Sequence, residues 1–228
     1  MDKLDFSTIL ASSIHDIKNS LGLILTNLED LLGNPANHIA DPRQASLLQH
    51  EARRANANLN QLLIFYKLGQ DQLCVNITAN PLDEFLEEII AENRSVCQAL
   101  GLRIDHQCDT ELMGFFDIEL VRGVLEGAIG NARRYARTQI QLNAELMEGF
   151  LVIRVEDDGV GFPPSMLAQT DYRPQTLSSI VGTPGHTQLG LYFAAHLAQL
   201  HRQGDKCGSI RLVNGHLLPG GCFELWLP

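Results

Sequence analysis

His15 is followed directly by Asp16 and, one helical turn later, by Asn19, within Ser12-Ser13-Ile14-His15-Asp16-Ile17-Lys18-Asn19-Ser20-Leu21. A histidine held on a rigid helix with a carboxylate and an amide in reach is suited to accept a phosphoryl group, a reaction that depends on positioning and charge. Farther along, Asn131 offers a neutral oxygen of the kind that completes a Mg²⁺ shell shared with phosphate oxygens, and Arg134 follows one turn later. The run Glu156-Asp157-Asp158-Gly159-Val160-Gly161 ends an alternating stretch. A carboxylate there can accept from an exocyclic amine, and the two glycines let backbone approach a ligand closely. A last block, Gly182-Thr183-Pro184-Gly185-His186-Thr187-Gln188-Leu189-Gly190-Leu191, runs into a helix start, where free N–H groups favour phosphate. Singly, these are an exposed helical histidine, a solvated asparagine, a turn and a connection. Their order along the chain is what makes them specific.

The histidine needs a helix to hold it. Leu10, Ile14, Ile17, Leu21, Ile24, Leu28 and Leu31 alternate spacings of four and three, a heptad seam. The spacing predicts a helix from near Ser7 to Gly33, with His15 just beside the seam and open to solvent. Asp41-Pro42 reads as the start of a second helix, carrying Leu48, Ala52, Ala55, Leu59, Leu62 and Tyr66 at the same spacing. One such hairpin leaves half of its apolar surface bare, and two copies close a four-helix bundle. A parallel homodimer through residues 7–68 follows.

Gly69-Gln70-Asp71-Gln72 breaks the pattern, dividing the chain into residues 1–70 and 71–228. The remainder mixes periods. Strands are predicted at Leu73–Ile77, Leu102–His106, Ile140–Ala144, Leu151–Val155, Ser209–Val213 and Cys222–Leu227. Helices are predicted from Asn80-Pro81 to about Leu100, from Asp117 to about Ala136 and from Thr187 to His201, with Pro163–Gly185 irregular. The fold class is α+β: a helical hairpin, then a sandwich with helices on one face of a mixed, mainly antiparallel sheet.

Composition narrows the setting. Of 228 residues, 45% are hydrophobic, enough for a sizeable core, and the net charge is -10. With no clustered Lys/Arg run, nucleic acid is a poor partner. The five cysteines are scattered without a C-x-x-C pair, which argues for reduced thiols rather than disulfides or a zinc site. No apolar run is long enough for membrane insertion, and the first residues lack a signal-peptide pattern. A cytoplasmic protein is expected.

In this order the motifs resemble the transmitter part of a sensor histidine kinase of a two-component system. Residues 7–68 resemble its dimerisation and phosphoacceptor domain, and 72–228 the ATP-binding domain shared with gyrase, Hsp90 and MutL. His15-Asp16-Ile17-Lys18-Asn19 matches the H box. Asn131-Ala132-Arg133-Arg134-Tyr135 resembles the second half of the N box, with Arg134 where lysine is usual. Asp157-x-Gly159-x-Gly161 matches the first glycine box, and Thr187-Gln188-Leu189-Gly190-Leu191 is similar to the second. The ending, Gly208-Ser209-Ile210 then Gly220-Gly221-Cys222-Phe223-Glu224-Leu225, follows the same pattern.

The resemblance implies that His15 takes the γ-phosphoryl group of ATP and passes it to an aspartate of a response-regulator receiver domain. It implies Asp16 as the base for His15 and Asn19 as the residue that places a water for dephosphorylating the regulator. It also implies a nucleotide site made by Asn131, Arg134, Tyr135, Asp157, Gly159, Gly161, Thr187, Gly190 and Leu191. Asn131 would hold Mg²⁺ there, and Asp157 would recognise the adenine amine. Three positions depart from the pattern. Gly127 stands where the N box has its first asparagine, and His186 and Gln188 replace glycines of the second glycine box. A side chain at Gln188 would cost roughly 1–2 kcal/mol if the backbone there is left-handed. No phenylalanine box lies between the glycine boxes. With no sensor domain before the H box, a separate sensor protein or a dimer rearrangement is expected to supply the signal. The alternatives are a histidine phosphotransfer or regulatory protein with a degenerate, non-catalytic ATP-binding domain, and an ATPase-like interaction module without phosphohistidine chemistry.

Overall fold

The computed structural model describes residues 6–33, scattered positions between 37 and 59, 75–167 and 187–228. The chain divides into two compact units, Met1–Cys74 and Val75–Pro228.

The first unit contains helix α1 (Phe6–Gly33). Ile14 is buried, whereas Ile17, Ile24 and Leu31, seven residues apart, are each more than half exposed. Only one side of the heptad seam is therefore covered within the protomer. Asp41 starts the second helical stretch as expected: its carboxylate accepts from Gln44 N at 3.1 Å and its carbonyl from Ala45 N at 3.2 Å. The described residues among 44–59 are helical, with Leu48 exposed. Leu62 and Tyr66 of the expected seam, and the polar break at 69–72, lie outside the described residues.

In the second unit, β1 (Thr78–Pro81) pairs antiparallel with β3 (Met113–Phe116) as a two-stranded ribbon. Of the strand expected at Leu73–Ile77, Leu73 and Cys74 lie outside the described residues. Residues 75–77 are irregular, and it is Thr78–Pro81 that finds a partner. Helix α2 (Leu82–Ala99) follows, then β2 (Arg103–Cys108). Helix α3 (Ile118–Tyr135) leads to β4 (Gln139–Met147) and β5 (Phe150–Asp157). A short helix α4 (Pro164–Leu167) lies at the start of the stretch expected to be irregular, and 168–186 lies outside the described residues. Helix α5 (Thr187–Leu200), a small hairpin of β6 (Arg202–Gln203) and β7 (Lys206–Cys207), and strands β8 (Ser209–Asn214) and β9 (Gly221–Leu227) complete the chain.

The main sheet has the order β2-β4-β5-β9-β8, with β2–β4 parallel and every other pair antiparallel. Helices cover one face. On α3, Leu120, Val121, Val124, Leu125, Ile129 and Ala132 are buried at helical spacing. Strand residues of the same face, among them Ile140, Leu142, Ile153, Val155 and Leu225, are all buried. Each such aliphatic side chain contributes about 1.5–3 kcal/mol. The opposite face is sealed by polar side chains paired across strands. Arg154, only 2% exposed, donates from Nε to Glu224 at 2.8 Å, and its Nη1 reaches Asn143 and Glu145. Glu224 also accepts from Trp226 Nε1 at 2.9 Å, and the Arg211 guanidinium sits 3.9 Å over the Trp226 ring.

Asp117 ties three elements together at the start of α3. Its Oδ1 accepts from Glu119 N and Leu120 N, both at 3.1 Å, and its Oδ2 from Asn76 N at 2.8 Å. Its own N–H donates to Nε2 of buried His201 at 3.1 Å. Because Nε2 accepts, His201 is neutral, with Nδ1 donating to Leu197 O at 2.9 Å. Burial holds its pKa below the ordinary value. The unfolded chain therefore takes up this proton first. The contribution of His201 is full above about pH 6.5 and is lost as pH falls from there towards the folded-state pKa. Urea melts between pH 5 and 8 should show a smaller acid-side loss of stability in His201→Asn than in the parent chain.

Candidate functional site

Strand β5 ends in Glu156 and Asp157, and Asp158 follows it directly. Side chains alternate across a sheet, so Glu156 belongs to the polar face and Asp157 to the helix-covered one. Asp157 is 6% exposed. Its Oδ1 accepts from Gly159 N at 2.7 Å and from Gly221 N at 3.4 Å. Burial raises its pKa above the usual carboxylate value, against those two N–H donors. Asp158 accepts from Arg137 N, Thr138 N, Gln139 N and, at 2.6 Å, the Thr138 hydroxyl. These bonds hold its carboxyl well below the usual range, although desolvation acts the other way. Asp158 thus stitches the α3–β4 connection to the end of β5.

The glycines around Asp157 are there because nothing larger fits. A Cβ on Gly159 would lie 2.1 Å from the Tyr135 carbonyl oxygen, and one on Gly220 would lie 2.4 Å from the Asp157 carbonyl oxygen. Gly161 has φ +77°, a conformation that L side chains rarely adopt. Asn214 clamps the next residue, accepting from Phe162 N at 2.8 Å and donating to Phe162 O at 2.9 Å. The close approach of Gly159 to Tyr135 brings the last turn of α3 against the β5 turn. Asn131, half-buried, lies one turn before Tyr135, whereas Arg134 and Tyr135 are exposed. Two blocks 26 residues apart in sequence thereby share one end of the sheet (157 minus 131).

The third block is only partly described. Thr187, Gln188, Leu189 and Gly190 form the first turn of α5, and Leu191 is buried. Gln188 has helical backbone, so the left-handed strain considered for it does not arise. Helix α5 lies beside α3, with buried Phe193 facing Gly123. His186 lies outside the described residues. Gly127, in place of the first N-box asparagine, is exposed on α3. In the first unit, His15, Asp16 and Asn19 lie on α1, with Asp16 and Asn19 exposed; the side chain of His15 is outside the described residues.

Residues 116–228 match the family described as "Histidine kinase-, DNA gyrase B-, and HSP90-like ATPase". This part of the chain is similar to that ATPase family. Over nearly its whole length the chain is also similar to the sensor protein SrrB of Staphylococcus aureus, with 24% identity over 231 residues covering 99% of this chain. The chain spans only 38% of the length of that relative. Among solved structures, a chain of the histidine kinase AdeS of Acinetobacter baumannii aligns with TM-score 0.56 and 13% identity, covering 93% of this chain and 96% of that solved chain. Full-length ShkA, solved in complex with AMPPNP, aligns with TM-score 0.61 and 20% identity over 96% of this chain and 44% of ShkA. The fold is thus that of histidine kinases, as the motifs implied. Among the described residues, no helix is long and apolar enough to cross a membrane.

Within this domain the sequence reading missed Asp158, Gly220 and Asn214 as site-building residues. Asp158 stands beside Asp157; the Asp157-x-Gly159-x-Gly161 spacing singles out Asp157, and nothing local announces the bonds of Asp158 to the α3–β4 connection. The Gly220-Gly221 pair carried a visible signal, since two adjacent glycines before a strand mark a close backbone approach.

Proposed function

We propose that the chain is an ATP-dependent protein histidine kinase that phosphorylates itself on His15 and hands the phosphoryl group to an aspartate of a response-regulator receiver domain. The observation that carries this reading is the setting of Asp157. It is a desolvated carboxylate at a strand end, with Oδ1 held by two glycine N–H groups and the walls around it too close for a side chain. Such a carboxylate leaves Oδ2 to accept from the adenine amine. Gly159, Gly161 and the first turn of α5, with Thr187, Gly190 and Leu191, border the remainder of the nucleotide. The donor set suits Mg²⁺ bound mainly by phosphate and water. Asn131 supplies one neutral oxygen at half-buried depth, next to exposed Arg134 and Tyr135. When bound, Mg²⁺ neutralises phosphate charge. Arg134 adds a cation to the same phosphates.

In the transfer, a ring nitrogen of His15 bonds to the γ-phosphorus as the bond to the bridging oxygen breaks and ADP departs. Asp16 takes the proton from the other ring nitrogen. The phosphoryl group then passes to the regulator carboxylate, and Asn19 orients a water for the opposing activity, which hydrolyses that acyl phosphate to the carboxylate and inorganic phosphate. With ATP and a receiver domain as its reactants, the chain works in the cytoplasm. Calorimetric titration with a non-hydrolysable ATP analogue and Mg²⁺ tests the site. Absence of binding at millimolar nucleotide would overturn the kinase reading.

That outcome would leave a phosphotransfer protein, the reading that Gly127 favours, because a glycine there gives the metal no ligand. Phosphate would then enter His15 from a phosphorylated regulator alone.

The same reading requires the residue 7–68 hairpin to pair with a second copy. Exposure of Ile17, Ile24 and Leu31 along one heptad line supports it. Sedimentation should give a dimer at micromolar concentration. Ile24→Glu should shift it to monomer, because pairing would bury an unpaired charge at a cost of several kcal/mol.

A further inference from the structure

Behind Asp157, on the polar face of the sheet, Glu156, His216 and Cys222 bring a carboxylate oxygen, an imidazole nitrogen and a thiol sulfur within 4.8 Å of one another. We propose that these three side chains form a site for a borderline divalent cation of the Zn²⁺ type, separate from the nucleotide site. The topology builds the cluster. Glu156 and Cys222 are register partners on β5 and β9, so their side chains stand side by side on one face. The β8–β9 turn, closed by Gly215 N donating to Gly220 O at 3.0 Å, folds His216 over them.

Glu156 is the residue that calls for a cation. It is fully buried, yet it is contacted by no lysine or arginine among the described residues. Arg154, two residues earlier on the same strand, spends its guanidinium on Glu224, Glu145 and Asn143 instead. The orientation of Glu156 is already fixed. Oε2 accepts from Leu217 N at 2.8 Å and Leu218 N at 3.2 Å, and Oε1 accepts from Asn143 Nδ2 at 2.6 Å. The second lone pair of Oε1 meets His216 Nδ1 at 2.9 Å, and this is the contact a metal replaces. Such outer hydrogen bonds are what hold a ligating carboxylate in place.

Charge and size both fit. A carboxylate, a thiolate and a neutral imidazole around a dication sum to zero, the cheapest arrangement for a buried site. Nitrogen, sulfur and oxygen donors together select Zn²⁺ over Mg²⁺ or Ca²⁺. Tetrahedral bonds of about 2.0–2.3 Å space ligand atoms roughly 3.5 Å apart, so the cluster closes by about 1 Å. The His216 side chain, 36% exposed on its turn, can supply that movement. Binding releases the Cys222 thiol proton to solvent, and a water entering beside His216 completes the fourth position.

The test uses the full chain, stripped with EDTA and kept reduced without thiols. Equilibrium dialysis at micromolar Zn²⁺ should leave one bound equivalent, and Co²⁺ in its place should give a thiolate-to-cobalt charge-transfer band. Cys222→Ser should abolish the band. His216→Ala, on an exposed turn where it does not threaten the core, should weaken Zn²⁺ binding at least tenfold, as loss of even an outer partner does. Cys207→Ser, which removes an exposed thiol, should change neither readout. Less than one equivalent bound, or a band that survives Cys222→Ser, would overturn the proposal in favour of a plain Glu156–His216 ion pair. Asp157→Asn leaves the Zn²⁺ readout unchanged if the two sites are separate.

Discussion

Asp157→Asn should weaken Mg-ATP binding by roughly 10- to 100-fold while leaving the domain folded. The substitution keeps the shape and an oxygen for the Gly159 and Gly221 N–H groups, which Oδ1 now accepts at 2.7 and 3.4 Å. It replaces the second oxygen by an NH₂ group that meets the adenine amine donor to donor. Loss of one charge-assisted hydrogen bond is worth about 1.5–3 kcal/mol, and each 1.4 kcal/mol is a factor of ten in affinity. Calorimetry reads the loss directly, and unchanged thermal unfolding separates it from misfolding. Affinity that survives the substitution would remove Asp157 from the adenine contact. Because burial raises the Asp157 pKa, the affinity of the parent chain should also begin to fall on the acid side at a higher pH than an ordinary aspartate would cause.

His15→Ala should abolish labelling of the chain by γ-labelled ATP and by phosphorylated regulator, with nucleotide affinity and dimer both intact. The effect is all or none because His15 is the single histidine in the sequence of α1. The phosphate on the parent chain should be acid-labile, as a phosphoramidate is. Labelling that persists in the variant would identify another acceptor. Asn19→Ala offers the complementary result: regulator dephosphorylation slows more than transfer to it.

The long periodic elements were legible because their side chains obey one rule over many residues. The expected helix from Asp117 to about Ala136 is Ile118–Tyr135, capped by Asp117 itself, and the final hairpin strands begin within a residue of their expected starts. The ribbon of β1 and β3 was not legible. Thr78-Ala79-Asn80-Pro81 carries a proline and little alternation, and it becomes a strand only because Met113–Phe116 pairs with it. The polar face of the sheet was hidden for a related reason. Asn143, Arg154, Glu156 and Glu224 read as solvent positions in alternating strands, yet all four are buried by partners that are distant in sequence. At the candidate site, the spacing Asp157-x-Gly159-x-Gly161 falls on the turn that follows β5. The division of labour between Asp157 and Asp158 depended on three backbone N–H groups of the α3–β4 connection, which no local pattern announces.

The strand order β2-β4-β5-β9-β8 leaves β2 and β8 as the two rims of the main sheet. A rim presents unpaired backbone groups and invites another chain to continue the sheet. On β2 the outward residues are Arg103, Asp105 and Gln107, and on β8 Arg211 is exposed at mid-strand. Any strand arriving there must cover these polar groups, and an identical strand in register brings like charges together. The two rims therefore oppose edge-to-edge pairing of two copies of this domain. Replacing Arg103 and Asp105 by valine would convert β2 into an apolar template for self-association without touching the core or the Asp157 turn.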